Sequence, residues 1–162
     1  VYKTKSKRIE LYNERYAEMG VDPMPVYRSP RKVPAGRFRL VVGRNAYFTH
    51  CTTQNNGLLH EFMPENTLWI NPKSASALGI NDGDLVEVSS AAGKEELKAE
   101  FKSGIREDTV YMASGFGVLS KGLTNIYGKG ACIAEVLEDY SDELSGNMAM
   151  HETFVKVGRK AA

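Results

Sequence analysis

Short alternating segments separated by turn residues dominate the chain after residue 36 and limit what it can fold into. RFRLVV (37–42) and ELKAEF (96–101) alternate apolar with polar or charged side chains, and DLVEVSS (84–90) alternates less strictly. TVYMAS (109–114) and TFVKV (153–157) share their strand-like composition. A period of two is typical of a strand that buries one face. These strands, with little helix between them, predict a mainly β fold, a barrel or a sandwich with short helices.

Turn and capping residues give two local predictions. Gly93 and Lys94 form a turn signal, so residues 84–101 are predicted to fold as a hairpin. In NPKSASALG, Asn71 is a good N-cap, Pro72 suits the first helical position, and Gly79 suits the left-handed residue after a helix. The sequence therefore predicts one short, well-marked helix directly before the hairpin.

The first part of the chain has a different character. Apolar residues fall at helical spacing over 9–19, although 9–11 (IEL) could equally be a short strand ahead of a helix. Four of the six prolines lie in 21–37, which predicts an extended connector. We therefore divide the chain into a lead-in segment with a proline-rich connector, 1–36, and a compact domain, 37–162.

Composition excludes several classes of protein. A hydrophobic content of 42% and a charged content of 25% are those of a globular domain. The net charge of +1 favours neither nucleic acid nor an anionic membrane as a partner. No apolar run approaches the roughly 20 residues of a spanning helix, so no direct membrane insertion is expected. Because the chain opens on Val1 in mid-pattern, we expect a piece of a longer protein.

Motifs for catalysis or metal binding are missing from the sequence. Cys51 and Cys132 do not form a CxxC pair, and the three histidines have no metal-ligand spacing. Ser114 lies in ASGFG, which is not the GxSxG motif of a nucleophilic serine. We therefore expect neither a catalytic residue nor a metal ligand in this chain.

The segment GRNAYFTHCTTQNN (43–56) is the richest concentration of polar side chains. Arg44 could bind a phosphate with its guanidinium group, and Asn55 and Asn56 carry the donors and acceptors that recognise a heterocycle. A solvated loop with a turn at its end explains the same residues. The residues by themselves leave both alternatives open.

Several segments in a fixed order resemble the cofactor-binding domain at the C-terminal end of molybdopterin oxidoreductases. PENTLWINPKSASALGINDGDLVEVSSAAGKEELKAEF (64–101) contains the family's I-N-P, a short helix, G-I-x-D-G-D-x-V and a hairpin. GRNAYFTHCTTQNN precedes it and IREDTVYMASGFG (105–117) follows it at the family's positions. IELYNERYAEMGVDPMPVY (9–27) is similar to the lead-in of polysulfide and thiosulfate reductase catalytic subunits.

The resemblance implies a six-stranded double-psi β-barrel that holds bis(molybdopterin guanine dinucleotide) with its molybdenum. The implied parent enzyme reduces a sulfur compound, polysulfide or thiosulfate, by two electrons. An iron–sulfur cluster and the metal ligand would belong to its other domains, so this chain by itself is expected to be inactive. Expected partners are those domains together with the iron–sulfur and membrane-anchor subunits of the parent complex, on the periplasmic or cell-surface side of the membrane.

Two alternatives remain open beside this interpretation. The same family includes enzymes for arsenate, tetrathionate, nitrate and formate, and the missing domains would line most of the substrate pocket. A β-barrel interaction module without any cofactor would belong to a different class. Its polar loop would face a protein partner instead of a cleft.

The resemblance also assigns cofactor-binding roles to particular residues. The loop after RFRLVV has the strongest claim, and the INP asparagine, the end of the strand TVYMAS and a histidine before the last strand follow it. Relatives often carry asparagines in the segment that matches GACIAEVL (130–137), so Asn125 or Asn147 is expected to supply that contact here. The expected cofactor-binding residues are Gly43, Arg44, His50, Thr52, Thr53, Asn55, Asn71, Phe116, Gly117, Asn147 and His151.

Overall fold

The computed structural model describes residues 2–142 and 144–160 and divides the chain into two compact units. The first unit is Val1–Arg31 and the second is Lys32–Ala162. All strands belong to the second unit.

In the described part of the first unit there is one helix, α1, which spans Glu14–Glu18. Asn13 caps it, because its side chain accepts hydrogen bonds from the backbone of the next turn. The predicted helical spacing over 9–19 is therefore realised only from residue 14 onward, and 9–11 forms no strand. None of the residues of α1 is buried. A short helix without a buried face gains little from tertiary packing, which explains why it stays short.

Six strands of the second unit close into a barrel, as the resemblance implied. Their order around the barrel is β1-β5-β2-β4-β3-β6. The pairs β1·β5 and β2·β4 are parallel, and the other four pairs are antiparallel. A closed barrel leaves no free sheet edge for another chain to pair with. The strands are β1 Phe38–Gly43, β2 Leu68–Ile70, β3 Leu85–Ser89, β4 Lys94–Phe101, β5 Thr109–Ala113 and β6 Phe154–Arg159.

The interior of the barrel accounts for the alternation in the sequence. Leu40 in β1 is fully buried, and its alternate neighbours Phe38 and Val42 pack against the core. In β4, Leu97 and Ala99 are buried in the same way. Burial of one such aliphatic side chain contributes about 1.5–3 kcal/mol, so a shift of register by one residue would be costly. The predicted hairpin is confirmed by the antiparallel pairing of β3 with β4.

Short helices connect the strands. Asn71 caps α3, Pro72–Ala77, and Gly79 after it has a φ of +67°, as predicted. The sequence did not predict α2, Gly57–His60, nor the two 3₁₀ helices, Ile133–Glu135 and Met150–Glu152. Across the described residues, no helix has both the length and the apolar character that are needed to span a lipid bilayer.

The strand order brings three segments to one end of the barrel. Gly43 at the end of β1 pairs with Ala113 at the end of the parallel strand β5. Strand β2 runs antiparallel to β5, so Asn66 just before β2 also lies here, where its side chain donates to the Ala113 carbonyl. We call this end of the barrel, defined by Gly43, Asn66 and Ala113, the loop end. The loops that follow β1 and β5 both start from it.

Candidate functional site

The polar loop 43–56 starts from a rigid attachment to β5. The Gly43 carbonyl accepts hydrogen bonds from the Ser114 backbone N–H (2.9 Å) and hydroxyl (3.2 Å). A Cβ at position 43 would lie 2.7 Å from Cε2 of Tyr111, so glycine is required for this close approach. The Tyr111 hydroxyl donates to the Arg44 carbonyl at 3.3 Å. The backbone of Arg44 is therefore fixed, while its side chain is exposed.

Inside the loop, several polar side chains support turns of the backbone. The Asn45 Oδ1 accepts from the Tyr47 N–H at 2.9 Å, and the Thr53 Oγ1 accepts from the Thr49 N–H at 2.8 Å. His50 has a φ of +50°, a left-handed conformation that is uncommon for a residue other than glycine. The side chains of His50 and the nearby Thr52 are exposed. The loop is thus a folded series of turns and not an extended connection.

An aromatic cluster anchors this loop to the barrel. Phe48 is buried, with its ring 5.7 Å from that of Phe116 and 5.6 Å from that of His60. Phe116, which was expected to bind the cofactor, is 3% exposed and packs against the rings of this cluster. Neither Phe48 nor His60 was predicted from the sequence. The signal was a large apolar residue in an otherwise polar loop, which indicates an anchor inside the loop.

Gln54 is buried beside this cluster with an incomplete set of hydrogen bonds. Its backbone carbonyl lies 2.5 Å from the His60 Nε2, which must carry the proton because a carbonyl only accepts. Its side chain lies against Gly115, where a Cβ would be 2.7 Å from the Gln54 Nε2. Among the described residues, the Gln54 Oε1 is the one buried side-chain nitrogen or oxygen atom without a hydrogen-bond partner. Such an atom costs about 1–3 kcal/mol.

The loop that follows β5 closes over the same end of the barrel. Asn125 donates from its backbone N–H to the Asn55 Oδ1 (2.9 Å) and from its side chain to the Asn55 carbonyl (2.7 Å). Asn55 therefore joins the two loops, and its side-chain oxygen is already used within the protein. Gly117 has a φ of +74°, and a Cβ there would lie 2.3 Å from the Cys132 nitrogen. This glycine is needed for packing between two parts of the chain.

His151 reaches the loop end from the 3₁₀ helix before β6. Its Nδ1 accepts a hydrogen bond from the Val42 N–H at 3.2 Å, which leaves the proton of a neutral ring on Nε2. Arg39 holds this helix in place, because its Nη1 donates to the His151 carbonyl at 2.5 Å and to the Glu152 Oε1 at 2.7 Å. The exposed His151 side chain thus offers a donor next to the start of the polar loop.

Of the two expected asparagines that remain, Asn71 lies away from the loop end. Asn71 follows β2 at the end of the barrel opposite the loop end. Its Oδ1 accepts from the Lys73 N–H at 3.0 Å and its Nδ2 donates to the Ile105 carbonyl at 2.8 Å. We therefore omit Asn71 from the proposed ligand set. Asn147 is exposed in a turn closed by the bridge between Ser141 and Met148.

The outer wall of the barrel carries an aromatic cleft of about 520 Å³, whose lining runs from Tyr111 to Ile105 and Thr109 at the end of the barrel opposite the loop end. Trp69 and Tyr111 contact each other there with ring centroids 4.5 Å apart, and the Lys102 ammonium lies 5.1 Å from the Trp69 ring. Burial raises the pKa of the Tyr111 phenol above its usual value. Tyr111 is the link between the two features, since its hydroxyl is bonded to the polar loop.

The chemistry of the loop end suits a ligand with both anionic and heterocyclic parts. Arg44 and Thr52 offer the guanidinium and hydroxyl groups that bind phosphate. His50 and His151 add exposed imidazoles, and Gln54 adds an acceptor that lacks a donor. Over the described part of the chain, no cluster of His, Cys, Asp and Glu could hold a metal ion. The residues of the loop end therefore fit a ligand that has phosphate groups and a heterocyclic ring, as a dinucleotide cofactor has.

Comparisons with known proteins identify the family. Residues 38–154 match the family described as "Molydopterin dinucleotide binding domain". The molybdopterin-containing subunit PhsA of thiosulfate reductase from Salmonella typhimurium is 31% identical over 163 residues, which is 98% of this chain and 21% of that protein. The molybdopterin-containing ArrA polypeptide of arsenate respiratory reductase from Chrysiogenes arsenatis is 32% identical over 99 residues, 57% of this chain and 12% of that protein.

A solved structure supports the same fold. Acetylene hydratase from Pelobacter acetylenicus superimposes with a TM-score of 0.79 at 21% identity, over 97% of this chain and 24% of that one. This chain spans about a fifth of the length of the thiosulfate reductase protein that it matches. The family match covers most of the barrel, from the first residue of β1 to the first residue of β6. The chain belongs to the family of molybdopterin dinucleotide-binding domains.

Proposed function

We propose that this chain holds bis(molybdopterin guanine dinucleotide) in the catalytic subunit of a molybdenum oxidoreductase that reduces a sulfur compound, thiosulfate or polysulfide. The observation that carries the proposal is the convergence of the polar loop 43–56, the turn 114–117 and His151 at the loop end of the barrel. Exposed donors and a buried unsatisfied acceptor lie together there.

The residues of this chain would bind and orient the cofactor. Arg44 and Thr52 would hold phosphate groups, because both side chains are exposed on a loop with a fixed backbone. His50 and His151 would donate further hydrogen bonds. Gly43, Thr53, Asn55, Phe116 and Gly117 would act indirectly, by keeping the loops in place. The cofactor, when bound, would supply two-electron redox chemistry at its molybdenum.

The choice of a sulfur substrate rests on the thiosulfate reductase relative. Its alignment covers 98% of this chain and so extends into the lead-in segment before residue 38, where the family match begins. The arsenate reductase relative aligns with 57% of the chain. A tetrathionate reductase relative from Archaeoglobus fulgidus aligns with 36% of the chain. Arsenate and tetrathionate are therefore the alternative substrates to test.

We propose the remaining parts of the enzyme by the same reasoning. Other domains would supply the metal ligand, the substrate pocket and an iron–sulfur cluster. Separate iron–sulfur and membrane-anchor subunits would deliver electrons on the periplasmic or cell-surface side. This chain without those domains would bind cofactor weakly and would show no turnover.

Cofactor analysis of the purified full-length protein tests the proposal. We expect molybdenum, pterin and GMP to be released in a ratio of one metal to two dinucleotides, with reduction of thiosulfate or polysulfide in an assay with a reduced dye. Reduction of arsenate or tetrathionate alone would change the substrate and keep the cofactor. A protein without pterin would refute the proposal and favour an interaction module. Any turnover by the separate 162-residue chain would refute its predicted inactivity.

A further inference from the structure

Three carboxamide side chains are buried in the part of the chain that the structure describes, and one of them differs from the other two. Asn66 is 1% exposed, and its side chain donates to two backbone carbonyls and accepts from one N–H. Asn71 is 9% exposed and both ends of its carboxamide are bonded. Gln54 is 2% exposed, and its Oε1 has no partner. Buried polar groups are normally hydrogen-bonded, so Gln54 requires a separate explanation.

Neighbouring groups fix the position of Gln54, and the Gln54 Oε1 makes no hydrogen bond that would help to hold it. The His60 Nε2 lies 2.5 Å from the Gln54 carbonyl and holds the backbone. A Cβ at Gly115 would lie 3.3 Å from the Gln54 Cδ and closer still to Nε2, so the side chain is packed directly on a glycine backbone. An apolar side chain of the same length would fill this space without leaving an unpaired atom.

The location of Gln54 connects it with the proposed ligand. It lies in the polar loop and contacts the turn 114–117, the two segments that meet at the loop end. A carboxamide presents an acceptor and a donor side by side. A 2-amino-4-oxopyrimidine ring presents ring N–H and amino donors next to a carbonyl acceptor, and both pterin and guanine contain this ring. The two hydrogen-bonding patterns are complementary.

We propose that Gln54 recognises this ring, with its Oε1 accepting a ring or amino N–H when the cofactor binds. The inference rests on the proposed function, since the ring belongs to the cofactor proposed above. Because Oε1 is enclosed in the structure, the Gln54 side chain and the adjoining part of the polar loop move on binding, while Gly43 and Arg44 stay attached to β5.

The substitution Gln54→Met separates a recognition role from a structural one. Methionine has a similar length and lacks the carboxamide, so the unpaired acceptor disappears from the apoprotein. We expect the full-length apoprotein, made in cells that do not synthesise molybdopterin, to unfold at the same or a higher temperature than the wild type. We also expect the variant purified from cofactor-producing cells to contain less pterin per protein.

Titration of the apoprotein with two probes identifies the ring. GDP carries guanine, and 2-amino-4-oxopteridine carries the pterin ring without phosphates. The probe whose ring Gln54 recognises should bind about tenfold more weakly to the Gln54→Met variant, the loss expected for one good hydrogen bond. Unchanged affinity for both probes would overturn the inference.

Asn66→Leu is the matched control, because it removes a buried carboxamide whose hydrogen bonds are all made. Its apoprotein should unfold at a clearly lower temperature. A Gln54→Met apoprotein that is destabilised in the same way, or does not fold, would show a structural role and overturn the inference. Failure of the proposed function is a separate result, since the wild type would then contain no pterin and bind neither probe. Wild-type pterin retained equally by the variant would refute only the role of Gln54.

Discussion

At the scale of single residues, the cations and hydroxyls of the polar loop could be identified from the sequence. The residues whose contacts hold the loops together could not. Arg44 and His50 are exposed on a folded loop, and their polar character is visible in the letters of the segment. The hydrogen bonds of Asn55 and the contact between Gly117 and Cys132 join residues far apart in the chain. No local sequence pattern shows these contacts. From the sequence alone, Asn55 and Gly117 were therefore assigned to ligand binding and not to packing within the protein.

Arg44→Ala is expected to weaken cofactor binding without weakening the fold. The side chain is exposed, and surface substitutions usually change stability by less than about 0.5 kcal/mol. Loss of a charged hydrogen bond to phosphate, about 1.5–3 kcal/mol, should lower cofactor affinity about tenfold or more. Molybdenum and pterin content of the full-length protein, with apoprotein unfolding, measures both effects. Lys156→Ala, an exposed cation on β6, is the control. Equal cofactor content in the two variants would contradict the prediction.

Tyr111 is expected to ionise at higher pH than an ordinary tyrosine. Burial raises its pKa, so the folded state keeps the phenol neutral and the hydrogen bond to Arg44 intact. Its contribution to stability is present below the usual tyrosine pKa and is lost as the pH rises through the higher folded value. Ultraviolet titration should show a late tyrosinate transition that is missing in Tyr111→Phe. A Tyr111→Phe protein with the same titration curve as the wild type would contradict this.

At the scale of elements, the length of a strand or helix decided whether the sequence pattern located it. The longer strands and α3 carry several periods of pattern or a full set of caps, and the sequence located them. Strand β2 has three residues, all apolar, which is too short for any alternation to be recognised. Helix α1 was predicted to be longer than it is, because spacing over 9–19 says nothing about whether that face is buried.

Asn71→Ala is expected to destabilise the barrel and leave cofactor binding unchanged. The variant loses the cap of α3, worth about 1 kcal/mol, and the hydrogen bond to the Ile105 carbonyl. Chemical unfolding should show a lower free energy, while cofactor affinity should stay at the wild-type value. Asn71→Asp keeps the capping oxygen, so its free energy of unfolding should lie between those of the wild type and Asn71→Ala. A loss of cofactor at unchanged stability would instead make Asn71 a ligand.

At the scale of the whole molecule, composition and periodicity predicted either a barrel or a sandwich. The resemblance to a known family was what implied a closed six-stranded barrel. Alternation shows which face of each strand is buried, and a sandwich and a barrel satisfy it equally. The parallel pairs β1·β5 and β2·β4 depend on contacts between residues some 30 to 70 positions apart. Order and spacing of motifs carried that information, whereas the single motifs did not.

The protein is expected to lose stability steadily as the pH falls from about 4 to about 2. Hydrogen bonds from Arg106 hold the pKa of Asp108 at about 2, below its ordinary value of 3.8. Burial alone would raise the pKa of Glu100, but hydrogen bonds from Lys102, Thr67 and Trp69 lower it. A carboxyl with a depressed folded pKa stabilises the protein above its unfolded pKa and ceases to do so below the folded value.

Urea unfolding at a series of acidic pH values measures this loss. Asp108→Asn should flatten the curve below pH 4 and have its largest effect near neutral pH. Because the Asp108 side chain is 42% exposed, solvent screening keeps the effect to about 1 kcal/mol or less. A variant with an acid profile identical to that of the wild type would contradict this assignment.

The strand order has a consequence for how the protein is made. Strand β1 pairs with β5 and with β6, which is the last strand of the barrel to leave the ribosome. About 65 residues are therefore synthesised between β1 and its partner β5, and more than a hundred between β1 and its partner β6. His151 is delivered in the same final stretch. Under the proposed function, the cofactor would therefore bind after the barrel is complete, and a chaperone that covers β1 in the meantime would raise the yield of cofactor-containing protein.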